Sequence, residues 1–160
     1  GAGAHKGFMV LDGTQIGAIT NLTIAGRFRL PQALLATDVH FMFGMQNPNF
    51  RMAYRYMNAN NLVRFDTATP NITNVDCDLP SGVDTISLIF IISGSTSVRL
   101  ICGDTEVTAT LGAQQSLPAF TLGSNLLSAG DWPGWIGNFG IWRHAANANQ
   151  IELLKAWLAS

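Results

Sequence analysis

Residues 134–157, GWIGNFGIWRHAANANQIELLKAW, predict a strand followed by a short helix, and this pair of elements decides the fold. From position 135 to position 142, large apolar residues alternate with small or polar ones, which is typical of a strand with one buried face. Asn147 is a suitable N-cap, and Gln150 at the third helical position completes a variant of the capping box. A helix this short is not stable alone, so we expect it to pack on the sheet that contains the strand.

The apolar residues of the predicted helix lie on one side of it. Ile151, Leu154 and Leu158 share one face, and Leu153 and Trp157 lie beside that face. We therefore expect the helix to be a structural element that docks on the sheet, and not a binding element.

The same stretch resembles the end of laminin-G-like domains, a family of concanavalin A-like jelly rolls. In that family the last core strand reads roughly G-x-I-x-x-v-r-i-y-n-r-a-L, and a capped turn of helix that ends in E-I-x-x-L follows it. The residues at the matching places are Gly134, Ile136, Phe139, Ile141, Trp142, Arg143, Ile151 and Leu154. The sequence departs from the family at Ala146 and Gln150, where the family prefers Leu and Glu.

Weaker similarities to the same family follow in the right order along the rest of the chain. Residues 8–13 resemble its opening F-D-G strand, residues 22–30 the strand after it, and residues 118–123 its l-x-I-G strand. The resemblance implies an all-β fold, an antiparallel two-sheet β-sandwich of the concanavalin A-like jelly-roll type with a short C-terminal helix. We expect residues 1–7 to form a flexible linker and residues 8–160 to form a single laminin-G-like domain.

The patterns between these points predict roughly ten to thirteen short strands, as in an antiparallel sandwich. Residues 21–30 and 50–57 alternate between apolar and polar positions, so each strand is expected to bury one face. Residues 85–93 are apolar on both faces, and such a strand is covered on both faces. We predict a turn at residues 12–13 and a loop over residues 67–80 that contains a short strand at 72–75. Gly103-Asp104 and Glu106-Val107-Thr108 resemble the D-G-x-x-V turn of the laminin-G-like family.

The composition is unusually apolar for a chain of 160 residues, because 48% are hydrophobic and 12% are charged, about half the usual charged share. No apolar run approaches the roughly 20 residues that span a bilayer, so we expect no membrane insertion. The excess apolar surface must lie in a core, in an interface or in both, and we predict a homo-oligomer or contacts with virion proteins. The net charge of −1 argues against a nucleic-acid binder.

Residue patterns typical of enzymes with this fold are missing from the sequence. Glycosidases of the fold use paired carboxylates, typically E-x-D-x-x-E, because one acts as acid and the other as nucleophile. The sequence has two glutamates, Glu106 and Glu152, and neither belongs to such a motif. It has no H-E-x-x-H and no G-x-S-x-G motif, and its three histidines are far apart. We therefore predict that the protein is not an enzyme.

The cysteines and aspartates do not have the spacing of a cofactor-binding motif, so we predict no cofactor apart from a candidate structural calcium ion. Cys77 and Cys102 lack metal-site spacing, and we expect two buried free thiols in preference to a disulfide. Asp76 and Asp78 are the candidates for a structural calcium ion, since carboxylate oxygens are its ligands. No third carboxylate is adjacent to them, so ordinary turn chemistry is the alternative.

Aromatic and polar side chains indicate sugar binding, which uses flat rings against apolar sugar faces and polar groups for the hydroxyls. The candidate glycan-binding residues are Trp132, Asp131, Trp135, Asn47, Asn49, Arg51, Arg55 and Asn58. Trp132, in its loop, is the better candidate for an exposed ring, and burial of that ring is the alternative. Tyr54 and Tyr56 share a strand face with Phe50 and Met52, so we expect both tyrosines to lie in the core.

Four arginines lie on polar strand faces, at positions 27, 29, 51 and 55. If their strands are neighbours, these arginines form a basic patch that suits an anionic glycan or a partner protein. A solvated face is the alternative.

The sequence thus predicts a non-catalytic, lectin-like β-sandwich module of a virion or cell-surface structural protein. Such a module binds a polysaccharide, mediates oligomeric assembly or does both, and we expect it at a virion or extracellular surface. The alternative is a purely structural capsid, tail or decoration module without sugar binding. The resemblance does not decide between these functions, because the same fold carries lectins, hydrolases, adhesion modules and virion proteins.

Overall fold

The computed structural model describes residues 9–36, 39–45, 50–67, 73–123 and 131–160, which form two antiparallel sheets and one α-helix. The strands are β1 (Met9–Ala18), β2 (Leu22–Arg29), β3 (Val39–Met45), β4 (Phe50–Met57), β5 (Asn60–Thr67), β6 (Thr73–Leu79), β7 (Thr85–Ser93), β8 (Ser97–Cys102), β9 (Thr105–Thr110), β10 (Ser116–Leu122) and β11 (Trp135–Trp142). A 3-10 turn, Gln32–Leu34, follows β2, and the helix α1 (Ala148–Ala159) follows β11. The predicted fold, an antiparallel two-sheet β-sandwich with a short C-terminal helix, is confirmed.

Six strands form one sheet in the order β1-β10-β3-β4-β5-β6, and five form the other in the order β11-β2-β7-β8-β9. Strand β11, which the sequence placed before the helix, pairs with β2 at an edge of the five-stranded sheet. The two sheets therefore face each other, and each keeps an outer face that points away from the core.

The inner faces of the two sheets enclose an apolar core, as the alternating strand patterns predict. Six phenylalanines of this core are at most 1% exposed, namely Phe28, Phe43, Phe50, Phe65, Phe90 and Phe120. Phe65 and Phe90 come from opposite sheets, and their ring centroids lie 4.4 Å apart. Burying each such ring contributes on the order of 1.5–3 kcal/mol to the free energy of unfolding. Tyr54 also lies in the core, as predicted, and its hydroxyl donates to the carbonyl oxygen of Leu35 at 2.6 Å.

Helix α1 covers the outer face of the five-stranded sheet. Its buried residues Ile151 and Leu158 belong to a second apolar cluster that includes Ile89 of β7. This contact explains why β7 is apolar on both faces. The prediction that β7 is covered on both faces is confirmed. The predicted capping box is also present, because the Asn147 side chain accepts from the Gln150 backbone at 3.0 Å and the Gln150 side chain accepts from the Asn147 backbone at 2.9 Å.

Two polar side chains hold the segment around α1 on the sheet. The buried hydroxyl of Thr23 donates to the carbonyl oxygen of His144 at 2.7 Å and accepts from the backbone N–H of Ala146 at 2.9 Å. Near the other end of the helix, Asn138 Nδ2 donates to the carbonyl oxygen of Trp157 at 2.6 Å. The helix is therefore fixed by hydrogen bonds at both ends as well as by apolar packing.

Two strands differ from the sequence-based prediction in the second half of the sandwich. The turn expected from the family resemblance is present at Gly103 and Asp104, between β8 and β9. Residues 106–108, which the resemblance included in that turn, belong to β9, whose residues Val107 and Ala109 pack against the core. Strand β6 spans Thr73–Leu79, whereas the prediction placed a short strand at 72–75. Strand β6 carries Asn74, Asp76 and Asp78 on its outer positions, and such polar residues are typical of a loop in a sequence.

Strand β1 is longer than predicted, because it continues past the turn expected at residues 12–13 as far as Ala18. Its pairing register with β10 shifts between Asp12 and Gly17, so an irregularity within the strand stands where the turn was predicted. The predicted linker over residues 1–7 and the start of the domain at residue 8 lie outside the described residues.

Cys77 of β6 and Cys102 of β8 are buried and unbridged, as predicted. Among the described residues, no helix is long and apolar enough to cross a membrane.

Candidate functional site

Loops from both sheets meet at one end of the sandwich, which we call the loop end, and they comprise residues 30–36, 58–59, 80–84 and 131–134. Arg29 of β2 pairs with Trp135 of β11 and with Thr85 of β7. The strand register therefore brings together the three loops that adjoin these residues, 30–36, 131–134 and 80–84. A hydrogen bond of 3.3 Å from Gln32 Nε2 to the carbonyl oxygen of Gly82 joins two of them directly. Loops held by a rigid sandwich are a common place for binding residues.

A depression of about 260 Å³ at the loop end lies beside an exposed aromatic ring, and we call it the Trp135 depression. Its lining residues include Arg29, Pro31, Gln32, Asp84, Pro133 and Trp135. Trp135 is 76% exposed, and only one other large apolar side chain in the described part of the chain, Leu153, is comparably exposed. The ring of Trp135 therefore presents an open apolar surface next to several polar groups.

The polar groups of the Trp135 depression hold one another in place. Arg29 Nε lies 3.4 Å from Asp84 Oδ2, and the hydroxyl of Thr85 donates to Asp84 Oδ1 at 3.0 Å. The hydrogen bond from Thr85, followed by the charge of Arg29, holds the pKa of Asp84 below its ordinary value. Asp84 is thus an ionised hydrogen-bond acceptor at neutral pH, and Arg29 beside it is a donor that is 59% exposed.

Trp132, the better candidate for an exposed ring, is buried, with 8% of its surface exposed. Its ring packs edge-on against Phe28, with centroids 5.5 Å apart, and its Nε1 donates to the carbonyl oxygen of Trp135 at 3.1 Å. The backbone between the two tryptophans passes so close to β2 that a Cβ on Gly134 would collide with the carbonyl oxygen of Arg29. Trp132 therefore anchors the segment that carries Trp135 and is not itself a ligand platform.

A second depression of about 330 Å³ lies beside the first, and we call it the Tyr56 depression. Gln32 lines both depressions, and the other residues around the second include Leu35, Tyr56, Asn60, Asn61, Leu79 and Ser81. Tyr56 is half-buried, so the expectation that both tyrosines lie in the core is correct for Tyr54 and only partly so for Tyr56. Asn61 Oδ1 is buried and has no hydrogen-bond partner.

The remaining loop residues predicted to bind glycan lie at different places. Asn58 is exposed in the turn between β4 and β5, where its φ of 52° is left-handed, and it adjoins a lining residue of the Tyr56 depression, Ala59. Asp131 is half-buried and forms an isolated β-bridge with Phe41, and it lines neither depression. Asn47 and Asn49 lie outside the described residues.

The predicted basic patch is not formed, because its arginines belong to different sheets. Arg27 and Arg29 lie on β2 of the five-stranded sheet, whereas Arg51 and Arg55 lie on β4 of the six-stranded sheet. Arg51 is already paired, since its Nε donates to Asp66 Oδ1 at 2.7 Å. Burial lowers the pKa of Arg55, whose Nε has no hydrogen-bond partner within the described ranges. The two arginines of β4 therefore stand on an outer face and not at the loop end.

The two aspartates considered for calcium do not fit such a site. Both oxygens of Asp76 accept hydrogen bonds from Arg64, each at 2.6 Å, while Asp78 is exposed on the same strand. Across the described part of the chain, no group of three or more His, Cys, Asp or Glu side chains could hold a metal ion. The spacing of the two aspartates reflects strand alternation, since residues two apart on a strand share a face.

Sequence patterns did not indicate Gln32, Asp84 or Asn61 as site residues, although the structure places all three at the loop end. They belong to separate segments, and no spacing rule connects positions 32, 61 and 84. Each of them lies next to a turn at the end of a strand, where binding residues are frequent. This position is the feature of the sequence that could have indicated them.

No protein-family model matches this sequence, and no curated protein sequence matches it either. Solved structures with a similar fold include botulinum neurotoxin type C, from work on cell entry that depends on interaction with two ganglioside molecules, with a TM-score of 0.71 and 10% identity over 94% of this chain. The binding domain of botulinum neurotoxin DC in complex with rat synaptotagmin II gives a TM-score of 0.67 and 11% identity over 87% of this chain.

Domain 4 of AbnA, a GH43 extracellular arabinanase from Geobacillus stearothermophilus, is also similar in its complex with arabinotriose. Its TM-score is 0.65 and its identity is 17%, and the match covers 92% of this chain and 72% of that chain. The chain spans 40% of the type C neurotoxin chain and 36% of the DC chain. These likenesses show that the protein shares its two-sheet β-sandwich fold with all three structures.

Proposed function

We propose that this protein is a non-catalytic carbohydrate-binding module whose ligand site is the Trp135 depression. The observation that carries the proposal is the 76% exposure of the Trp135 ring beside a depression. An aromatic ring stacks on the apolar face of a sugar, and a few fixed polar groups then select its hydroxyls. Asp84 supplies an acceptor, Arg29 supplies donors, and Gln32 supplies an amide at the edge of the same depression.

The similar structures support this proposal through what they bind. The type C neurotoxin work concerns an interaction with gangliosides, and the arabinanase domain was solved with arabinotriose. Because one fold hosts many functions, the residues of the site carry the proposal and the shared fold supports it.

The number of carboxylates that line the two depressions suits binding of a sugar without its hydrolysis. Glycosidases of the usual kind place two carboxyl groups about 5–9.5 Å apart across the scissile bond. Asp84 is the single carboxylate among the described residues that line the two depressions, and Arg29 and Thr85 already engage it. The site therefore holds a sugar without the acid and nucleophile that cleave it.

A glycan array followed by isothermal titration calorimetry with the strongest glycan tests the proposal. Trp135→Ala should weaken binding at least roughly tenfold, which is about 1.4 kcal/mol, because it removes the stacking surface. Lys155→Ala is the matched control, since Lys155 is exposed on α1, away from the loop end. Equal affinities of Trp135→Ala and the wild type would contradict the proposed site, and an array without a hit would contradict the proposed function.

We also propose that the module works within a homo-oligomer at a virion or another extracellular surface. The supporting observation is the exposed Leu153 on α1, together with the 12% of charged residues. Linking several weak sugar sites raises the overall affinity without new contacts. Light scattering at high micromolar concentration should show an oligomer, and Leu153→Ser should reduce its mass, whereas a monomeric wild type would contradict this second proposal.

A further inference from the structure

The two cysteines of the sequence lie in the core on strands of opposite sheets. Cys77 belongs to β6 of the six-stranded sheet, and Cys102 is the last residue of β8 in the five-stranded sheet. Both are at most 3% exposed, and both belong to the apolar cluster between the sheets. A bond between these two side chains would therefore join the two sheets to each other.

The strands that carry the two thiols approach each other closely at one side of the sandwich. Packed sheets usually lie about 10 Å apart, whereas β6 has Cα atoms within 8 Å of Cα atoms on both β8 and β9. A disulfide joins residues whose Cα atoms are about 4.4–6.8 Å apart. This side of the sandwich therefore brings the two sheets to nearly the span of a disulfide.

The side chain of Cys77 points at the hairpin that contains Cys102. Cys77 Sγ donates to the carbonyl oxygen of Thr105 at 3.6 Å. Thr105 is the direct partner of Cys102 across the turn between β8 and β9, and the Cα atoms of such partners are about 4.5–5.5 Å apart. The bond from Cys77 to Thr105 is a weak one, because a thiol is a weak donor, so little is lost when the Cys77 sulfur takes another partner.

The two thiols also interact with each other, and this interaction makes them chemically different. Hydrogen bonding with the Cys102 thiol lowers the pKa of Cys77, although burial opposes the effect. The same hydrogen bond, together with burial, raises the pKa of Cys102. Because the thiolate is the nucleophile in thiol–disulfide exchange, Cys77 is the attacking thiol and Cys102 is the one that resolves the mixed disulfide.

We propose that Cys77 and Cys102 are an oxidative-modification site, which forms a reversible disulfide between the two sheets when the protein folds in an oxidising compartment. The structure holds both thiols in their reduced form. Disulfides persist in extracellular compartments and are rare in the cytosol, so the reduced and the bridged form belong to different surroundings. This inference is independent of the proposed sugar site, because neither cysteine lines either depression.

The oxidant is a small disulfide such as glutathione disulfide. The Cys77 thiolate attacks one sulfur of the oxidant, so that a mixed disulfide forms and one glutathione leaves. The sulfur of Cys102 then attacks the sulfur of Cys77, and the second glutathione leaves. Two electrons pass from the protein to the oxidant, and the two cysteine protons end on the two released thiols. Since both cysteines are buried in the folded protein, the exchange takes place during folding, before β6 packs as the last strand of its sheet.

The test is to refold the protein from denaturant, once with glutathione disulfide and once with an excess of a reducing phosphine. Each sample is then unfolded, alkylated and analysed by mass spectrometry. The first should have no alkylated cysteine and the second should have two. Because the bridge closes a loop of about 25 residues, the oxidised protein should melt roughly 5–10 °C above the reduced protein.

The matched control is the double variant Cys77→Ala/Cys102→Ala, whose Tm should be equal in the two buffers within about 2 °C. Two alkylated cysteines after refolding with glutathione disulfide would overturn the proposal. Mixed disulfides with glutathione or disulfides between chains, in place of the internal bridge, would overturn it as well. A bridge that forms but leaves the Tm unchanged or lowers it would contradict the claim that the two thiols already lie in position to join the sheets.

Discussion

The outer faces of the two sheets are closed in different ways. On the five-stranded sheet, α1 covers an apolar cluster that includes Ile89 and Ile101. On the six-stranded sheet, no helix lies over the described strands, yet Phe41 and Ala53 are buried on the outer face. Arginine side chains provide the cover there, and the guanidinium of Arg51 lies 5.4 Å from the centroid of the Phe41 ring.

This difference shows that an apolar stripe can be buried by an added element or by the long stems of charged side chains. The first solution requires a strand that is apolar on both faces, such as β7, and a helix with a matching stripe. The second requires arginines interleaved with small or apolar residues, with carboxylates to pair them. Arg64 donates to Asp76 and Arg51 to Asp66 across neighbouring strands of this face.

The largest expected effect is on the helix-covered face. Leu158→Ala should lower the free energy of unfolding by about 2–5 kcal/mol, because it opens a cavity where the side chain is fully buried. For a chain of this size the Tm should fall by roughly 5–15 °C. Leu154, on the same stripe, is half-buried, so Leu154→Ala should lie between Leu158→Ala and the wild type.

Lys155→Ala is the control for the helix, since Lys155 is exposed and its pair with Glu152 lies on the surface. It should melt like the wild type within about 2 °C. If Leu158→Ala also melts like the wild type, α1 does not contribute to the stability of the sandwich and the covered face is described wrongly.

The same contrast explains how much the sequence could predict. The sandwich and its covering helix were predictable because the patterns that indicate them are local in the sequence. These patterns are the hydrophobic periodicity of β11 and α1, the capping box at Asn147 and the apolar residues on both faces of β7. The exposure of Trp135 and the burial of Trp132 depend on Phe28 and Arg29, more than 100 positions away in the chain. Such contacts are set by strand register, which one sequence does not encode in any short pattern.

The next effect concerns the hydrogen bonds that fix the entry to α1. Thr23→Val should destabilise the protein by about 1–3 kcal/mol, because the carbonyl of His144 and the buried N–H of Ala146 would both lose their partner. Thr108→Val is the control, since Thr108 is exposed on β9. Chemical denaturation measures both, and equal midpoints would mean that the hydroxyl does not anchor the helix.

A smaller effect is expected on the arginine-covered face. Arg64→Ala should cost roughly 1–2 kcal/mol, because it removes two hydrogen bonds to Asp76 and part of the cover on Ala53. Arg99→Ala should cost less than about 1 kcal/mol, since its pair with Glu106 is more exposed. If both variants lose the same stability, the arginines do not seal the face and act as ordinary surface charges.

The smallest effect is the pH dependence of the Arg99–Glu106 pair. The hydrogen bond from Arg99 lowers the pKa of Glu106 below 4.5, so the pair contributes stability above that pH and loses it as the pH falls through the lowered value. Glu106→Gln should melt about 1–3 °C below the wild type at pH 7, and the difference should disappear at low pH and in high salt. A difference that grows on acidification would contradict this sign.

The proposed sugar site is tested most directly by the indole N–H signals of the four tryptophans in a 1H–15N spectrum during titration with the strongest glycan from the array. Trp135→Phe identifies the signal of the exposed ring. Trp142 and Trp157, which pack against each other with centroids 6.0 Å apart beside the covered face, serve as internal controls. We expect the Trp135 signal to shift in a saturable way while those two signals stay in place, whereas shifts confined to Trp142 and Trp157 would contradict a binding site at the loop end.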